Sequence, residues 1–464
     1  MIHGARASIL DVIGPPPIVR LHRVVPPELD ATLYARCEFM TPTGSARDQV
    51  AAALLRHAEA SGRLRPGGTV VEATGGNAGA SLAMVAAVRG YRCIFAVPDR
   101  ISQEKLAALR AWGARVVVCP SSVDPSDPRS HYAVARRIAE ETPGAVLADQ
   151  HRNPAAVEHH ATVTGPALWE QTRGELDAVV LPLRTGATAV GLARFFKARG
   201  APVAVVGVDA VGSVFHDAIK HGVVTRPFTY KVEGIGLDFL PPDLDLRVLD
   251  DCVRVDDREC FVTARELVRQ EGLWCGGSSG AAVAGAIKWA RGRRGPLRVL
   301  VFLEDTASRY LSTIFNDDWM RENGFLGTEP TLGTVSELLA GRAQSLVTAR
   351  SDDTLRNVIG KMKAHGVSQL PVVDGDTIRG LVSEVDVLRN LVSGEAHLDA
   401  TIERILDSDY ATVSPDTRVD LLKSVLADAK VALVTDGPRL LGLVSKIDVI
   451  DYLSRRMSDT PTVS

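Results

Sequence analysis

Four short stretches hold the residues able to do chemistry. Thr41-Pro42-Thr43-Gly44-Ser45-Ala46-Arg47-Asp48 follows a mostly apolar run, 33–40, and precedes an Ala-rich segment, 50–55. The order reads as strand, turn and helix, which exposes backbone N–H groups at a helix N-terminus and suits an anion or a cofactor ring. Glu72-Ala73-Thr74-Gly75-Gly76-Asn77-Ala78-Gly79, Arg184-Thr185-Gly186-Ala187-Thr188 and Cys275-Gly276-Gly277-Ser278-Ser279-Gly280 are glycine-rich loops. Taken singly, each is an ordinary turn, so the weight of each comes from its neighbours. Glu158 and the histidines His151, His159 and His160 invite a metal. Adjacent histidines point different ways and a helical site prefers i, i+4 spacing, so no metal is expected.

The elements that must position these loops alternate. Strands are read at 69–72, 91–97, 114–119, 179–183 and 203–208, with helices at 80–88, 104–112 and 190–199. Such alternation argues for an α/β fold of parallel sheets with helices on both faces, and ligands then sit beyond the carboxyl ends of the strands. Beyond about residue 326 an internal repeat appears: Leu370-Pro371-Val372-Val373 leads to Gly380-Leu381-Val382-Ser383, and Ala432-Leu433-Val434 leads to Gly442-Leu443-Val444-Ser445. Each copy ends in Ser-x-x-Asp, at Asp386 and Asp448, close to a capping box opening a helix. The expected organisation is a first domain over 1–326, a linker over 327–343, paired repeats over about 344–395 and 401–457, and a disordered tail over 458–464.

Composition removes other classes. With 464 residues, 45% hydrophobic and 23% charged, the chain is an ordinary globular protein of two or three domains. A net charge of −3 gives no reason to expect nucleic acid or a membrane as partner, and no apolar run approaches a membrane span. The N-terminus lacks a secretory pattern, and six scattered cysteines form no C-x-x-C pair, so a reducing cytoplasm is expected.

The motifs, in this order, resemble the cystathionine β-synthase/cysteine synthase family of pyridoxal-phosphate (PLP) enzymes of fold type II. The repeats resemble the tandem CBS pair, or Bateman module, that accompanies cystathionine β-synthase. The segment 315–321 resembles that enzyme's last helix, and 305–310 and 233–236 resemble further loops of the site. The resemblance implies that Thr74, Gly75, Gly76 and Asn77 form the loop holding the substrate carboxylate, with Gln150 assisting, and that Asn77 meets the cofactor ring oxygen. It implies that 184–188 cradles the cofactor phosphate through Thr185, Gly186, Ala187 and Thr188, and that Ser278 meets the pyridine nitrogen. Asp386 and Asp448 would hold the ribose of an adenosine nucleotide or S-adenosylmethionine. A homodimer is expected by analogy, and no haem, because the leader is short.

Several positions depart from the family pattern. Where the family places its Schiff-base lysine, this chain has Arg47, and Gly75, Ala78, Ala161 and Arg184 also differ. A guanidinium does not deprotonate in proteins, so Arg47 can neither form an imine nor abstract a proton. The other lysines of the domain, Lys105, Lys197, Lys220, Lys231 and Lys288, lie outside the motif loops, so no substitute is expected. Arg184 either strengthens anion binding through its donor fork, fills the pocket, or points away. Three functions stand open at this point. The first is a pseudoenzyme or repurposed enzyme binding an amino-acid-like or anionic ligand, with PLP absent or not covalently bound. The second is a PLP-dependent β-replacement enzyme, a carbon–oxygen lyase relative, with a non-covalently held cofactor. The third is an adenosyl-ligand sensor or scaffold.

Overall fold

The apolar runs become strands buried on both faces. Thr69–Ala73 and Ala178–Pro182 are buried at every position, as strands covered on both sides by helices must be. The structure, a computed structural model, describes residues 4–99, 101–121, 123–326, 332–340, 346–375, 377–393, 397–437 and 439–458. A four-stranded parallel sheet runs in the order Arg115–Cys119, Arg92–Pro98, Thr69–Ala73, Ala145–Leu147. A six-stranded sheet runs Ile18–Arg20, Ala31–Cys37, Leu297–Leu303, Ala178–Pro182, Ala204–Ala210, Asp251–Val255. Its first pair is antiparallel, and the three central pairings are parallel. The alternation read from the sequence is therefore the observed architecture, with element ends shifted by a few residues. The most consequential shifts are at helix starts: the helices begin at Arg47, Asn77 and Ala187, so these motif residues belong to first turns rather than to loops.

Side chains from the helices Arg47–Ala60 and Asn77–Arg89 share one core with the four-stranded sheet, including Leu54, Leu55, Leu82, Val85, Phe95 and Val97. This packing fixes the first turns of both helices, and therefore Arg47 and Asn77.

The described chain divides into two compact units. The first comprises residues up to Asp209, Val232–Ile235 and Pro241–Leu326; the second comprises Ala210–Lys231, Gly236–Leu240 and the chain from Gly327 onward. The excursion 210–231 carries no composition break and was not legible before the fold was known. Inside the second unit it is anchored by Asp217, 1% exposed, which accepts hydrogen bonds from the hydroxyls of Thr225, at 2.9 Å, and Thr412. Arg226 pairs with Asp409 at 2.8 Å.

The repeat is a structural one. Gln369–Asp374 pairs antiparallel with Thr377–Ser383, and Val431–Asp436 pairs antiparallel with Arg439–Ser445. Both hairpins shift register at equivalent places, between Val372 and Val373 and between Val434 and Thr435. Ile378, Leu381, Tyr410, Val431 and Leu433 form a core common to the two copies. Part of the segment read as a linker is helical: Val335–Ala340 buries Val335 and Leu338 in the core of the second copy. Most of the tail, 459–464, lies outside the described residues. Among the described residues no helix is long and apolar enough to cross a membrane.

Candidate functional site

Four helices of the first unit start at the motif stretches, and none has a side-chain cap. Their N-cap residues are Ala46, Gly76, Gly186 and Gly276. Elsewhere in the same unit Ser102, Ser130, Asn153 and Asp256 cap their helices with side-chain oxygens. At three of the four, a hydroxyl just before the N-cap takes one first-turn amide (Ser45 that of Arg47, Thr74 that of Gly79, Thr185 that of Ala187), and the other first-turn amides have no side-chain oxygen among the described residues. Two of the glycines are required by geometry. Gly186 has φ +74°, and a Cβ there would lie 2.2 Å from Leu244 Cδ2. Gly76 has φ +128°, and a Cβ there would lie 2.7 Å from Lys105 Cδ.

Arg47 opens its helix from a half-buried position, its side chain 13% exposed, with Nη2 3.9 Å from Glu304 Oε2. Glu304 ends the strand Leu297–Leu303, and its backbone carbonyl accepts the Ala46 N–H at 2.9 Å. Burial pushes the Glu304 carboxyl up to about 7; Arg47 opposes that rise, while Glu38 and Asp305 add to it. A second pair lies beside the first: Arg36 and Glu38 meet at 3.3 Å, with side chains 1% and 3% exposed. Burial raises Glu38 as well, against the pull of Arg36 and Arg47. Two permanent cations therefore face two carboxyls that burial drives toward the neutral form.

The Asn77 amide is engaged at both ends. Its Nδ2 donates to Asp305 Oδ2 at 2.7 Å, and its Oδ1 accepts from the Arg309 guanidinium. Arg309 also donates to the Thr43 carbonyl at 2.5 Å. Tyr310 donates to Asp305 Oδ2 at 2.6 Å. Lys105 completes this chain: its Nζ lies 2.5 Å from Glu233 Oε2 and 3.4 Å from the Tyr310 hydroxyl. The lysine is 4% exposed, and its ammonium sits 4.6 Å from the Tyr310 ring centre. The sequence places Lys105 outside every motif loop, but the fold brings its amine to the network around Asn77.

The carboxylate-loop residues lie together, although several are already bonded internally. Thr74 Oγ1 accepts the N–H groups of Gly76, at 3.0 Å, and Gly79, at 3.1 Å. Gly75 is exposed, with nothing within 4 Å of the place a Cβ would occupy. Gln150 donates from Nε2 to Glu72 Oε1 at 3.5 Å and to the Ala73 carbonyl at 3.4 Å. Burial and the Asp149 charge push Glu72 up to about 8.

In the phosphate-loop region Ala187 N–H donates to Thr185 Oγ1 at 3.4 Å, and Thr188 Oγ1 lies 3.1 Å from His160 Nε2. His160 Nδ1 lies 3.0 Å from Thr164 Oγ1, so both ring nitrogens are spent on hydroxyls rather than on a metal. Burial holds His160 and His151 well below the usual imidazole range. The next causes at His151 are the charges of Arg184 and then Arg47, which puts both cations within electrostatic reach of one imidazole. Ser278 is 1% exposed, and a Cβ on Gly234 would lie 3.2 Å from its Oγ.

Sequence reasoning missed Glu304 and Lys105, and it placed Arg309 and Glu233 in loops of the site, 305–310 and 233–236, without assigning either a role. An acid at the end of an apolar strand, Glu304 after Val299–Leu303, was the one available signal. Asp386 receives hydrogen bonds from Ser383 N–H at 3.0 Å and Ser383 Oγ at 2.5 Å, and Asp448 receives the same pair from Ser445 at 2.6 and 2.5 Å. One oxygen of each aspartate thus closes a helix start. A His216–Asp217–His221 grouping in the second unit brings potential ligand atoms within 4.8 Å of one another. Its aspartate is the hydrogen-bonded anchor described above, which accounts for the grouping as a polar joint.

Comparison with known proteins gives the same outline. Residues 9–305 match the model of the pyridoxal-phosphate dependent enzyme family, and 335–393 and 402–455 match the CBS domain. The chain is 33% identical to the cystathionine beta-synthase of Dictyostelium discoideum, covering 97% of this chain and 92% of that protein. It is 34% identical to the cystathionine beta-synthase of Oryctolagus cuniculus, covering 97% and 86%, and 30% identical to that of Saccharomyces cerevisiae, covering 97% and 98%. Among solved structures, O-ureido-L-serine synthase matches with a TM-score of 0.62 and 34% identity, over 68% of this chain and 99% of that one. This chain therefore belongs to the pyridoxal-phosphate dependent enzyme family, in the form seen in cystathionine β-synthases, with a C-terminal pair of CBS domains.

Proposed function

We propose that the first domain no longer performs lysine-anchored PLP chemistry and instead binds an amino-acid-like or other small anionic ligand, under the control of the CBS pair. The observation that carries this reading is the Arg47–Glu304 pair: the first-turn side chain is a permanent cation with a buried counter-ion beside it. An amine that must shed its proton to react could not serve in that role.

The family's cofactor, when bound, supplies an electron sink for carbanion chemistry. Its phosphate end fits the uncapped helix start at Ala187, with Thr185, Gly186 and Thr188, and its ring nitrogen fits Ser278. Its aldehyde end does not fit. Arg47 cannot condense with it, and the Asn77 amide is already committed to Asp305 and Arg309. Arg47, Arg184 and Arg309 favour an anion, with Thr74, Gly75, Gly76, Asn77 and Gln150 as its surroundings. For the CBS pair we assign Asp386 and Asp448 as contacts for an adenosine nucleotide or S-adenosylmethionine; their matched placement at the two helix starts supports this.

Absorption spectroscopy tests the reading. The purified protein, incubated with PLP and reduced with borohydride, is expected to release all cofactor on denaturation and to show no turnover of serine with a thiol. Cofactor fixed to the chain, with turnover, overturns it.

A further inference from the structure

The Arg47–Glu304 pair has features that a merely structural ion pair does not need. At 3.9 Å the two groups attract without a hydrogen bond, so the planar donor fork of Arg47 is not committed to Glu304. Both side chains keep some exposure, 13% and 9%. Glu304 stands at the carboxyl end of a central strand of the six-stranded sheet, where ligands of such folds sit.

Charges reach Glu304 from three sides. Arg47 comes from the helix Arg47–Ala60, Arg36 and Glu38 come from the end of the strand Ala31–Cys37, and Asp305 follows it in the chain. The neighbouring carboxylates are placed differently. Glu38 has its own guanidinium, Arg36, and a Gln49 amide at 3.4 Å. Asp48 is held by Thr43 through its N–H, at 2.8 Å, and its hydroxyl, at 2.5 Å. Asp305 is held by Asn77 and Tyr310. Glu304 has the weakest hold of the four, and an anion entering beside Arg47 would add a like charge to this group. The least costly relief is to neutralise the carboxylate that the anion displaces.

We propose that Arg47 and Glu304 form a proton-linked anion site: a small carboxylate ligand takes the place of Glu304 on the guanidinium, and Glu304 accepts one proton from water as it is displaced. This rests on the anion-binding reading of the first domain and adds its proton balance: carboxylate plus one proton gives the neutral carboxyl, with no bond broken in the ligand. The burial that holds Glu304 near neutrality lets the exchange occur at neutral pH.

Titration calorimetry of the full chain with L-serine, and separately with L-lactate, tests this across about pH 6 to 8, where neither carboxylate titrates. Repeating each titration in buffers of different ionisation enthalpy counts the protons taken up. With Glu304 titrating at about 7, uptake is expected to approach ~0.9 proton per ligand at pH 8, and Kd to weaken about fivefold between pH 7 and 8 while flattening below pH 6. Glu304→Gln is expected to abolish both the uptake and the pH dependence, and Arg47→Met to weaken binding at least about tenfold at every pH. Arg47-dependent binding with no proton uptake, or with uptake unchanged in Glu304→Gln, overturns the linkage and leaves the anion site standing. Absence of binding, or binding unaffected by Arg47→Met, overturns the linkage and the anion site together. Should Glu304→Gln fail to fold, the proton count of the wild-type protein alone decides the matter.

Discussion

Glu304 makes a prediction that needs no ligand. Its carboxyl titrates at about 7 in the folded protein, raised by burial from an ordinary value near 4.5. The folded state therefore holds a proton between those values that the unfolded chain has released, and stability falls as pH rises through that window. At about 1.4 kcal/mol per pH unit the contribution lost is ~3 kcal/mol. A unit of roughly 300 residues unfolds with an entropy of about 0.6 kcal/mol/K, so this corresponds to ~5 °C in Tm. Glu304→Gln cannot titrate. The difference in Tm, wild type minus variant, is expected to fall by about 5 °C between about pH 4.5 and 8, measured by scanning calorimetry at fixed salt. Glu38 titrates in both proteins and largely cancels in the difference. A difference that stays flat, or that rises with pH, would show that the guanidinium outweighs burial and that Glu304 is an ordinary ionised partner.

Other consequences are more local. Gly186→Ala puts a Cβ 2.2 Å from Leu244 on a backbone at φ +74°, and is expected to destabilise the first domain by about 1–3 kcal/mol in urea titrations. Asp386→Ala and Asp448→Ala each remove a helix-start acceptor, costing about 1 kcal/mol, and together should abolish calorimetric binding of S-adenosylmethionine, ATP or AMP by a protein that remains folded.

What was legible in the sequence follows from the range of the interactions concerned. Strand and helix identity depends on neighbours a few residues apart, so Thr69–Ala73 or Ala187–Ala198 could be read from apolar runs and glycine turns. The tandem pair was legible because one pattern occurs twice. Helix starts were set too late because Arg47, Asn77 and Ala187 lack the side-chain caps that mark a start in the sequence. Glu304, the partner of Arg47, was not legible, and Asp305 and Arg309 were read only as part of a site loop, 305–310, not as partners of Asn77. Glu304 is 257 residues from Arg47, and Asp305 and Arg309 are 228 and 232 residues from Asn77; only strand order brings them together. Lys105 was set aside for the same reason, since its amine reaches Glu233 across 128 residues.

Arg47 and Glu304 also constrain any attempt to return an amine to this site. A lysine can be neutral in a buried place, but an arginine cannot, and a buried permanent charge requires a counter-ion. Glu304 meets that requirement, and the same carboxylate would hold an ammonium protonated and so unreactive toward an aldehyde. Arg47→Lys alone is therefore expected to capture little pyridoxal phosphate at neutral pH, whereas Arg47→Lys combined with Glu304→Gln should capture severalfold more. Borohydride reduction followed by peptide mass analysis of the segment containing position 47 reads the captured fraction directly. A doubly substituted protein that captures no more than the single variant would mean that Glu304 does not govern charge at this position, and that the obstacle lies instead at Asn77, held by Asp305 and Arg309.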